Sequence, residues 1–361
     1  MAECRAVVLT EFNQPLEVWR VPIPDLPPGG MLVKIEAATL CGTDIHRWHG
    51  VAIGRESLPL LVGHEGCGIV AEINGERRDL LGQPLKPGDR VLSSYPACGE
   101  CYYCTVARQP TLCPNTLYWG ANRADRPPYL LGTCAEYQYI PPGSALIRVP
   151  EPVSSPLAAA SSCALRTVMH GFERLGPLGN HETVVIQGCG PLGLFATAVA
   201  KHRGAHRVLL IGAPAARLDA GKALGADEVL NIDEATDPAE RRDWVRQRTA
   251  GLGADVVIQV ATASAVPEGV TMVRRGGRYL SIGGSGAGAI PVQTLPQMLS
   301  FVSIFMAEPR HWLQGVRFLA DHPELPFDRM LSGVYSFDQA SAAYEAMAKF
   351  EIVKPVFLPA H

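Results

Sequence analysis

The feature that most constrains the fold is a glycine-rich segment, residues 188–193, which reads GCGPLG and matches the pattern G-x-G-x-x-G. It follows an apolar run, Thr183–Gln187, that we predict as a strand, and it opens a predicted helix, Pro191–His202. Glycines here permit a tight turn and let backbone amides approach a pyrophosphate at the helix N-terminus. The alternative is an ordinary glycine-rich turn, which the strand–helix context disfavours. We therefore predict a dinucleotide site that includes Gly188, Gly190, Pro191, Leu192 and Gly193.

The rest of the chain supports an α/β fold and contains two regions with different sequence patterns. After residue 182, short apolar runs alternate with helical patterns, which predicts a doubly wound parallel sheet of the Rossmann type. The further predicted strands there are Arg207–Ile211, Ala254–Val260 and Arg278–Ile282, and the further helices are Ala215–Leu224 and Pro238–Thr249. Before about residue 150, short extended segments broken by Gly and Pro predict a β-rich domain. Those segments include Arg5–Leu9, Met31–Ala37, Gly68–Ile73 and Arg90–Ser93.

The coenzyme, NAD or NADP, stays open at this point. A Rossmann site usually carries an acidic residue at the end of its second strand, about 20 residues past the motif, to hold the ribose 2′-hydroxyl. Gly212 occupies that position, so no carboxylate repels a 2′-phosphate. Arg217 is a candidate to hold such a phosphate, to cover the adenosine of NAD, or simply to face solvent.

Four cysteines lie within residues 98–113, namely Cys98, Cys101, Cys104 and Cys113. Four thiolates complete the tetrahedral shell of a zinc ion and leave no position for a substrate. We therefore predict a structural zinc site rather than a set of exposed free thiols, which would be prone to oxidation.

Two further segments contain zinc-binding residue types: LCGTDIH, which includes Cys41, and GHEG, which includes His64. Three protein ligands with an open fourth position make a catalytic zinc, and Cys163 is a candidate third ligand. Taken singly, each residue has an unremarkable alternative, since buried cysteines act as small apolar side chains and a histidine can be an interior hydrogen-bonding group.

In order and approximate separation, these motifs together resemble the zinc-dependent medium-chain dehydrogenase/reductase family, specifically its alcohol dehydrogenases, over essentially the whole chain. The resemblance implies that Cys41, His64 and Cys163 bind the catalytic zinc. It implies that Glu65 can approach the metal and that Asp44 orients the ligand histidine.

The resemblance also assigns roles in catalysis and cofactor binding. It implies that Thr43 receives the alcohol proton, that His46 passes it towards solvent, and that Lys354 contacts the cofactor phosphates. The chemistry expected is zinc-assisted hydride transfer between an alcohol and NAD or NADP. Two zinc ions per chain, one catalytic and one structural, are implied.

The same resemblance implies a domain organisation. A GroES-like catalytic domain would cover residues 1–152, a Rossmann domain residues 153–292, and a C-terminal return to the catalytic domain residues 293–361, with the active site in the cleft. The apolar run Phe301–Ala307 would lie near the edge of the nucleotide-binding sheet. An apolar edge needs cover, so we expect a homodimer or homotetramer, the alternative being cover by the chain's own helix.

Two positions suggest a roomy substrate pocket. By resemblance, Ser94 falls where primary-alcohol enzymes carry a large aromatic residue, and Gly284 falls where they carry a branched aliphatic residue. Trp48 and Trp119, together with Tyr118, would supply apolar surface to a bulky ligand. A secondary or cyclic alcohol, for instance a terpene-like one, is therefore the hypothesis for the substrate.

Other functions compete with this one. A zinc-free quinone or enoyl reductase would lack the three catalytic ligand types. A polyol, threonine or aldehyde dehydrogenase differs in substrate only, although polyol-type relatives often carry glutamate where Cys163 stands. A non-catalytic zinc- and nucleotide-binding relative would not need Thr43 and His46.

Composition and charge limit the classes of partner that we expect. The formal net charge is −3, and no basic stripe is present to contact a phosphate backbone, so nucleic acid is not expected. The longest apolar stretch, Pro156–Met169, is too short and too polar to span a bilayer, and the N-terminus does not resemble a secretory signal. We therefore expect no membrane partner and a cytoplasmic location.

Overall fold

The computed structural model describes residues 2–51, 53–284 and 289–359. The chain divides into two compact units. Unit 1 comprises residues 1–166, 308–323 and 331–361, and unit 2 comprises residues 167–307 and 324–330.

The N-terminal part of unit 1 is rich in strands, as its β-branched and turn-rich sequence predicts. Its strands are β1 (Glu3–Leu9), β2 (Glu17–Pro22), β3 (Met31–Thr39), β4 (Leu60–Leu61), β5 (Glu65–Ile73), β6 (Arg90–Ser93), β7 (Asn122–Arg123), β8 (Tyr137–Ile140) and β9 (Leu146–Arg148). Its helices are α1 (Gly42–Trp48), α2 (Tyr102–Thr105) and α3 (Ser155–Ala160), and a π-helical turn, Ser161–Leu165, follows α3.

Unit 2 contains a parallel sheet. Its helices are α4 (Arg166–Leu175, beginning one residue before the unit), α5 (Pro191–His202), α6 (Ala215–Ala223), α7 (Pro238–Gln247) and α8 (Val266–Met272). Its strands are β10 (Thr183–Gln187), β11 (Arg207–Gly212), β12 (Glu228–Asn231), β13 (Ala254–Gln259), β14 (Val273–Ser281) and β15 (Ser300–Ser303). The order β12-β11-β10-β13-β14-β15 is the Rossmann order, and every neighbouring pair is parallel. The predicted α/β class is confirmed.

The glycine-rich segment lies between β10 and α5, and both elements have the predicted bounds. Gly188 adopts φ +117°, a conformation that favours glycine. A Cβ atom on Gly193 would lie 1.8 Å from the carbonyl oxygen of Gly188. The turn from strand to helix therefore requires glycine at both positions.

The C-terminal part of the chain returns to unit 1 with α9 (Pro309–Asp321), β16 (Leu331–Tyr335), α10 (Ala340–Ala348) and β17 (Lys354–Phe357). A 3₁₀ turn, Phe337–Gln339, directly precedes α10. In the described ranges, no helix combines the length and apolar composition of a membrane span.

Two sheets form unit 1. One has the order β2-β1-β4-β7 and the other the order β16-β17-β3-β5-β6-β9, with β8 also paired to β3. In the second sheet β3 lies between β5 and β17, and both pairings are antiparallel. Their register sets Thr39 opposite Glu65 and Val356, so the ends of three strands meet at one edge of the sheet.

The unit boundaries differ from the expected domain boundaries. The predicted Rossmann domain starts at residue 153, but the chain stays with unit 1 as far as residue 166, because α3 packs against β3 and β5. The return to unit 1 begins at residue 308 rather than 293, and residues 324–330 belong to unit 2. The expected domains also include residues 1, 52, 285–288 and 360–361, which lie outside the described residues.

Candidate metal centres and nucleotide segment

Four side chains of unit 1 form a group with the donor atoms of a metal site: Cys41, His64, Glu65 and Cys163. The β3–β5 pairing explains how the first three meet. Cys41 follows the end of β3 as the N-cap of α1, and His64 immediately precedes β5, whose first residue is Glu65. Because the strands are antiparallel, the end of β3 lies beside the start of β5.

Cys163 comes from the π-helical turn, far along the chain from the other three. Single π-helical turns are rare and occur often at functional sites. The preceding helix α3 begins at the capping residue Ser154, whose hydroxyl accepts from the Leu157 N–H, and it packs on β3 and β5. This packing carries Cys163 to the sheet edge.

The separations within the group suit zinc. One donor atom from each residue lies within 4.8 Å of all the others, and the Cys41 and Cys163 sulfurs are 3.9 Å apart. Zinc–sulfur bonds of about 2.3 Å in a tetrahedron place two sulfurs about 3.8 Å apart. The residues predicted as catalytic zinc ligands therefore come together with distances that fit the ion.

A buried hydrogen bond orients His64. Its Nδ1 lies 2.9 Å from Oδ1 of Asp44, and both side chains are buried. The second carboxylate oxygen of Asp44 accepts from the Cys41 N–H at 2.9 Å. Burial by itself raises the pKa of the Asp44 carboxyl, but the charge and hydrogen bond of His64 outweigh it, and the pKa is lowered. With Nδ1 engaged, Nε2 is the nitrogen that can face a metal.

A hydrogen bond links the two thiols, and it shifts their pKa values in opposite directions. The hydrogen bond with Cys163, together with burial, raises the pKa of Cys41 well above its usual value. The same hydrogen bond lowers the pKa of Cys163. Since zinc binds thiolates, metal binding is expected to release the protons that the two thiols hold.

Glu65 takes part in a buried network that the sequence did not reveal. It is fully buried, and its Oε2 accepts from the Thr39 hydroxyl at 2.5 Å and from the ammonium group of Lys354. Its Oε1 has no hydrogen-bond partner among the described residues. A buried carboxylate oxygen without a partner, within the donor group, fits the expected approach of Glu65 to a metal.

Lys354 differs from its expected role. We expected contact with the cofactor phosphates, but Lys354 is 1% exposed, and its Nζ donates to Glu65 and, at 3.0 Å, to the Leu40 carbonyl. Burial by itself lowers the pKa of Lys354, but the Glu65 carboxylate outweighs it and the pKa is raised. The pairing of β17 with β3 brings Lys354 to Glu65, and the ammonium group balances the charge of the Glu65 carboxylate.

The residues of the expected proton relay lie on α1. Thr43 is exposed, with its Oγ1 3.9 Å from the Cys41 sulfur. His46 stands three residues later on the same helix, which puts the two side chains on one face. Burial, and then the neighbouring His49, lower the pKa of His46, so it is neutral at pH 7 and able to accept a proton.

The four-cysteine cluster forms a second donor group, with all four sulfurs within 4.8 Å. Three of the sulfur pairs are 3.5–4.0 Å apart, as in a zinc–thiolate tetrahedron. Backbone N–H groups of Glu100 and Cys101 lower the pKa of Cys98 to about 6, whereas burial raises that of Cys104 to about 12. The cluster therefore fits the predicted closed-shell zinc site.

The nucleotide segment of unit 2 has space for a pyrophosphate. Gly190 caps α5, and a Cβ atom there would meet nothing within 4 Å. Pro191 and Leu192 begin the helix, whose N-terminus favours an anion. At the end of β11, a Cβ on Gly212 would lie 2.5 Å from the Cys189 sulfur. Arg217, on α6, is partly buried.

The residues predicted to line a substrate pocket lie in different surroundings. Ser94 is buried, and its hydroxyl accepts from the Ala145 N–H at 2.9 Å, so it is held against the backbone. Trp48 donates its indole N–H to the Gln14 carbonyl and packs edge-on against Tyr344, so it is a partly buried residue that packs against the core of unit 1. Neither position supports the expected role. Gly284 of unit 2 is exposed, with nothing within 4 Å of a Cβ there.

Trp119 does join an aromatic cluster near the donor group. It is buried, and its ring centroid lies 5.8 Å from that of Tyr95, which also contacts Tyr118 and Trp312. The guanidinium of Arg166 lies over the rings of Tyr95 and Trp312. Sequence reasoning did not single out Tyr95, Arg166 or Trp312, because these residues are far apart in the chain and match no motif.

Comparisons with known proteins agree with this geometry. Residues 27–151 match the family model described as alcohol dehydrogenase GroES-like domain, and residues 191–321 match that described as zinc-binding dehydrogenase. The chain is 35% identical to 5-exo-hydroxycamphor dehydrogenase of Pseudomonas putida, with 99% of each chain covered. It is 34% identical to erythritol/L-threitol dehydrogenase of Mycolicibacterium smegmatis, over 74% of this chain and 73% of that one.

Among solved structures, an alcohol dehydrogenase of Thermotoga maritima is similar, with a TM-score of 0.90 and 34% identity. The match covers 99% of each chain. The likeness therefore extends over both units.

Metal content tests the two donor groups separately. Cys163→Ala is expected to lower bound zinc from about two to about one ion per chain while the protein stays folded. Cys104→Ala is expected to remove the other ion and to lower the melting temperature, because a closed thiolate shell holds its loop together. Elemental analysis and thermal unfolding measure both effects. The control is Cys4→Ala, a buried cysteine of β1 outside both groups. Full zinc content in Cys163→Ala would contradict the assignment.

Proposed function

The chain belongs to the zinc-dependent alcohol dehydrogenases of the medium-chain dehydrogenase/reductase family, and within that family we propose that it oxidises a bulky secondary or cyclic alcohol to its ketone. The enzyme is an oxidoreductase, and NAD or NADP accepts the hydride. The observation that carries the proposal is the donor group of Cys41, His64, Cys163 and Glu65, with the Thr43 hydroxyl and the His46 imidazole following on α1.

The overall reaction is balanced by the coenzyme: alcohol and NAD(P)⁺ give ketone, NAD(P)H and one proton. When bound, zinc polarises the alcohol oxygen and the nicotinamide receives the hydride. Cys41, His64 and Cys163 would hold the ion, and Asp44 would fix the ring of His64. The four-cysteine group would hold the second, structural ion, because four thiolates leave no site for a substrate.

Thr43 and His46 would carry the released proton. The Thr43 hydroxyl accepts it and donates its own onward, and His46, neutral at pH 7, accepts it nearer to solvent. Thr43 and His46 regain their starting protonation states once His46 releases the proton to water. The family relay passes through the cofactor ribose, and the same route is proposed here.

The nucleotide would bind at the start of α5. Gly188, Gly190 and Gly193 would let the backbone approach the pyrophosphate, with Pro191 and Leu192 in the first helical turn. No carboxylate stands at Gly212, which makes NADP as admissible as NAD. Arg217 is proposed to contact the adenosine half of either coenzyme.

The preference for a bulky substrate rests on two observations. The Pseudomonas putida relative bears the name of a dehydrogenase of hydroxycamphor, a cyclic alcohol. In addition, by the family resemblance, Gly284 stands at a position where primary-alcohol enzymes carry a branched side chain. The wall of aromatic rings is proposed to include Trp119.

A polyol is the second candidate substrate, because the Mycolicibacterium smegmatis relative is named for erythritol and threitol. Threonine and aldehyde dehydrogenation belong to the same family chemistry. Cys163 favours the alcohol, since polyol-type relatives often carry glutamate at this position. A non-catalytic role is disfavoured because the chain keeps Thr43 and His46, which a non-catalytic relative would not need.

We also propose that the enzyme is a homodimer or homotetramer. Strand β15 is the edge of the unit 2 sheet, and Phe301 on it is 46% exposed. Since an exposed apolar edge is a liability, a second copy is proposed to cover it. Phe301→Asp is expected to reduce the mass measured by light scattering, whereas Leu252→Asp, an exposed apolar site elsewhere in unit 2, should not. A wild-type mass of one chain would contradict the proposal.

A substrate panel tests the function directly. Coenzyme reduction is followed at fixed enzyme concentration with cyclohexanol, a bicyclic terpene alcohol, erythritol and ethanol, each with NAD and NADP. We expect kcat/KM for the cyclic alcohols to exceed that for ethanol and erythritol, and chelation of zinc to abolish turnover. Faster oxidation of erythritol would select the polyol function. No turnover of any alcohol by protein that holds zinc and binds coenzyme would refute an alcohol dehydrogenase activity.

The pH profile tests the relay. Since burial lowers the pKa of His46 below its usual 6.5, oxidation should lose rate to protonation of His46 only below that pH. His46→Gln is expected to lower kcat/KM at pH 7 by roughly 10- to 100-fold, with a smaller deficit at high pH, where water or hydroxide takes the proton. His206→Gln is the control, because His206 is an exposed histidine of unit 2 and takes no part in the proposed relay. Equal profiles for His46→Gln and wild type would argue against the relay.

A further inference from the structure

Arg166 is a buried cation that the proposed chemistry leaves unused. Arg166 is 2% exposed, and its side chain is among the largest fully buried ones in the described residues. Within residues 2–51, 53–284 and 289–359, no carboxylate forms an ion pair with it. Buried arginines are rare unless they are paired, so this one calls for a partner.

The contacts of Arg166 satisfy only part of its guanidinium. Nε donates to the Ser162 carbonyl, and Nη2 lies 3.5 Å from the Tyr95 hydroxyl. The carbon at the centre of the group lies 4.1 Å from the ring centre of Trp312 and 5.3 Å from that of Tyr95. Nη1 is buried and has no hydrogen-bond partner among the described residues.

These contacts orient the group without saturating it. The two rings stabilise the positive charge by cation–π attraction, which carries no hydrogen bond. A guanidinium offers five N–H donors in one plane, and a buried donor left without an acceptor costs free energy. Nη1 is therefore a donor for which the described residues supply no acceptor.

The position of Arg166 links this donor to the candidate catalytic centre. It directly follows the π-helical turn, three residues after Cys163. Its charge helps to lower the pKa of the Cys163 thiol, after the larger effect of Cys41. Tyr95, which contacts the guanidinium, is only partly buried.

The charges around the centre leave Arg166 uncompensated. Two thiolates balance a zinc ion, and Lys354 balances Glu65. Arg166 adds one positive charge that none of these groups neutralises. An acceptor oxygen with full or partial negative charge would be drawn to it.

We propose that Arg166 binds, through Nη1, a carbonyl-type oxygen that the substrate carries in addition to its reacting hydroxyl. The preferred substrates are then cyclic alcohols that also bear a ketone or a carboxylate. This proposal rests on the proposed function, because it concerns the substrate of the same site. Arg166 would determine specificity and would not take part in proton or hydride transfer.

Matched alcohols test the proposal. Two oxygen-bearing alcohols, 4-hydroxycyclohexanone and 4-hydroxycyclohexanecarboxylate, are compared with 4-methylcyclohexanol by their kcat/KM values, for wild type, Arg166→Met and Arg166→Lys. In the wild type, at least one oxygen-bearing alcohol should be preferred by roughly 10- to 100-fold, the range of a hydrogen bond to a charged group. The ratio cancels any difference in the fraction of folded enzyme.

The variants should change that ratio in a defined order. Arg166→Met is expected to bring it close to one, and Arg166→Lys to an intermediate value, because lysine keeps the charge but not the planar donor array. Arg203→Met is the control, since Arg203 of unit 2 also lies over an aromatic ring, that of Phe172. It should leave the ratio unchanged.

A binding measurement separates recognition from turnover. Quenching of tryptophan fluorescence by 1,4-cyclohexanedione, with no coenzyme present, should weaken at least tenfold in Arg166→Met relative to wild type, and thermal unfolding checks that the variant is folded. A ratio near one in wild type, or a high ratio kept by folded Arg166→Met, would overturn this inference while the proposed function stands. Absence of turnover with 4-methylcyclohexanol and with both oxygen-bearing alcohols would instead count against the proposed function.

Discussion

The antiparallel pairing of β3 with β5 is the constraint on which the candidate catalytic centre depends. It sets Thr39 opposite Glu65, so that Cys41, two residues beyond the strand, and His64, one residue before its partner, stand at the same sheet edge. A slip of one residue would turn every side chain of the slipped strand to the opposite face and separate the donor atoms. The strand β17 extends the same edge, and it brings Lys354 to Glu65.

The charges placed at this edge are buried, and that makes their balance important. Removing water from a carboxylate and an ammonium group is costly unless they meet, and Glu65 and Lys354 do meet, with the Thr39 hydroxyl as a third partner. Asp44 is balanced in the same way through His64. Arg166 stands out by contrast, because aromatic rings rather than a carboxylate surround its charge. The same buried setting that holds metal ligands rigid can therefore also select a substrate.

The two candidate metal centres differ in how well the sequence alone predicts them. The four-cysteine cluster lies within one short loop, so close spacing alone predicts that its sulfurs meet. The other group joins the end of one strand, the start of another and a π-helical turn much later in the chain. Only the combination of motifs pointed to it, and the resemblance to a known family supplied the third ligand. The neighbours Thr39, Tyr95 and Trp312 carried no signal, since hydroxyl and aromatic residues are common in β-rich chains.

The amino-acid sequence alone predicts the four central strands of the unit 2 sheet and its nucleotide segment, because the spacing of apolar runs and the glycines at 188 and 193 follow local rules of backbone geometry. It also specifies which residue types are present to bind metal. The sequence alone does not determine where each polar or charged side chain lies in the folded protein. Lys354 was expected at a phosphate and instead lies buried beside Glu65, and Ser94 was expected at a pocket wall and instead bonds to the backbone of Ala145. Such placements follow from strand pairing between segments far apart in the chain, and pairing of that kind is decided by burial in the folded protein rather than by local pattern.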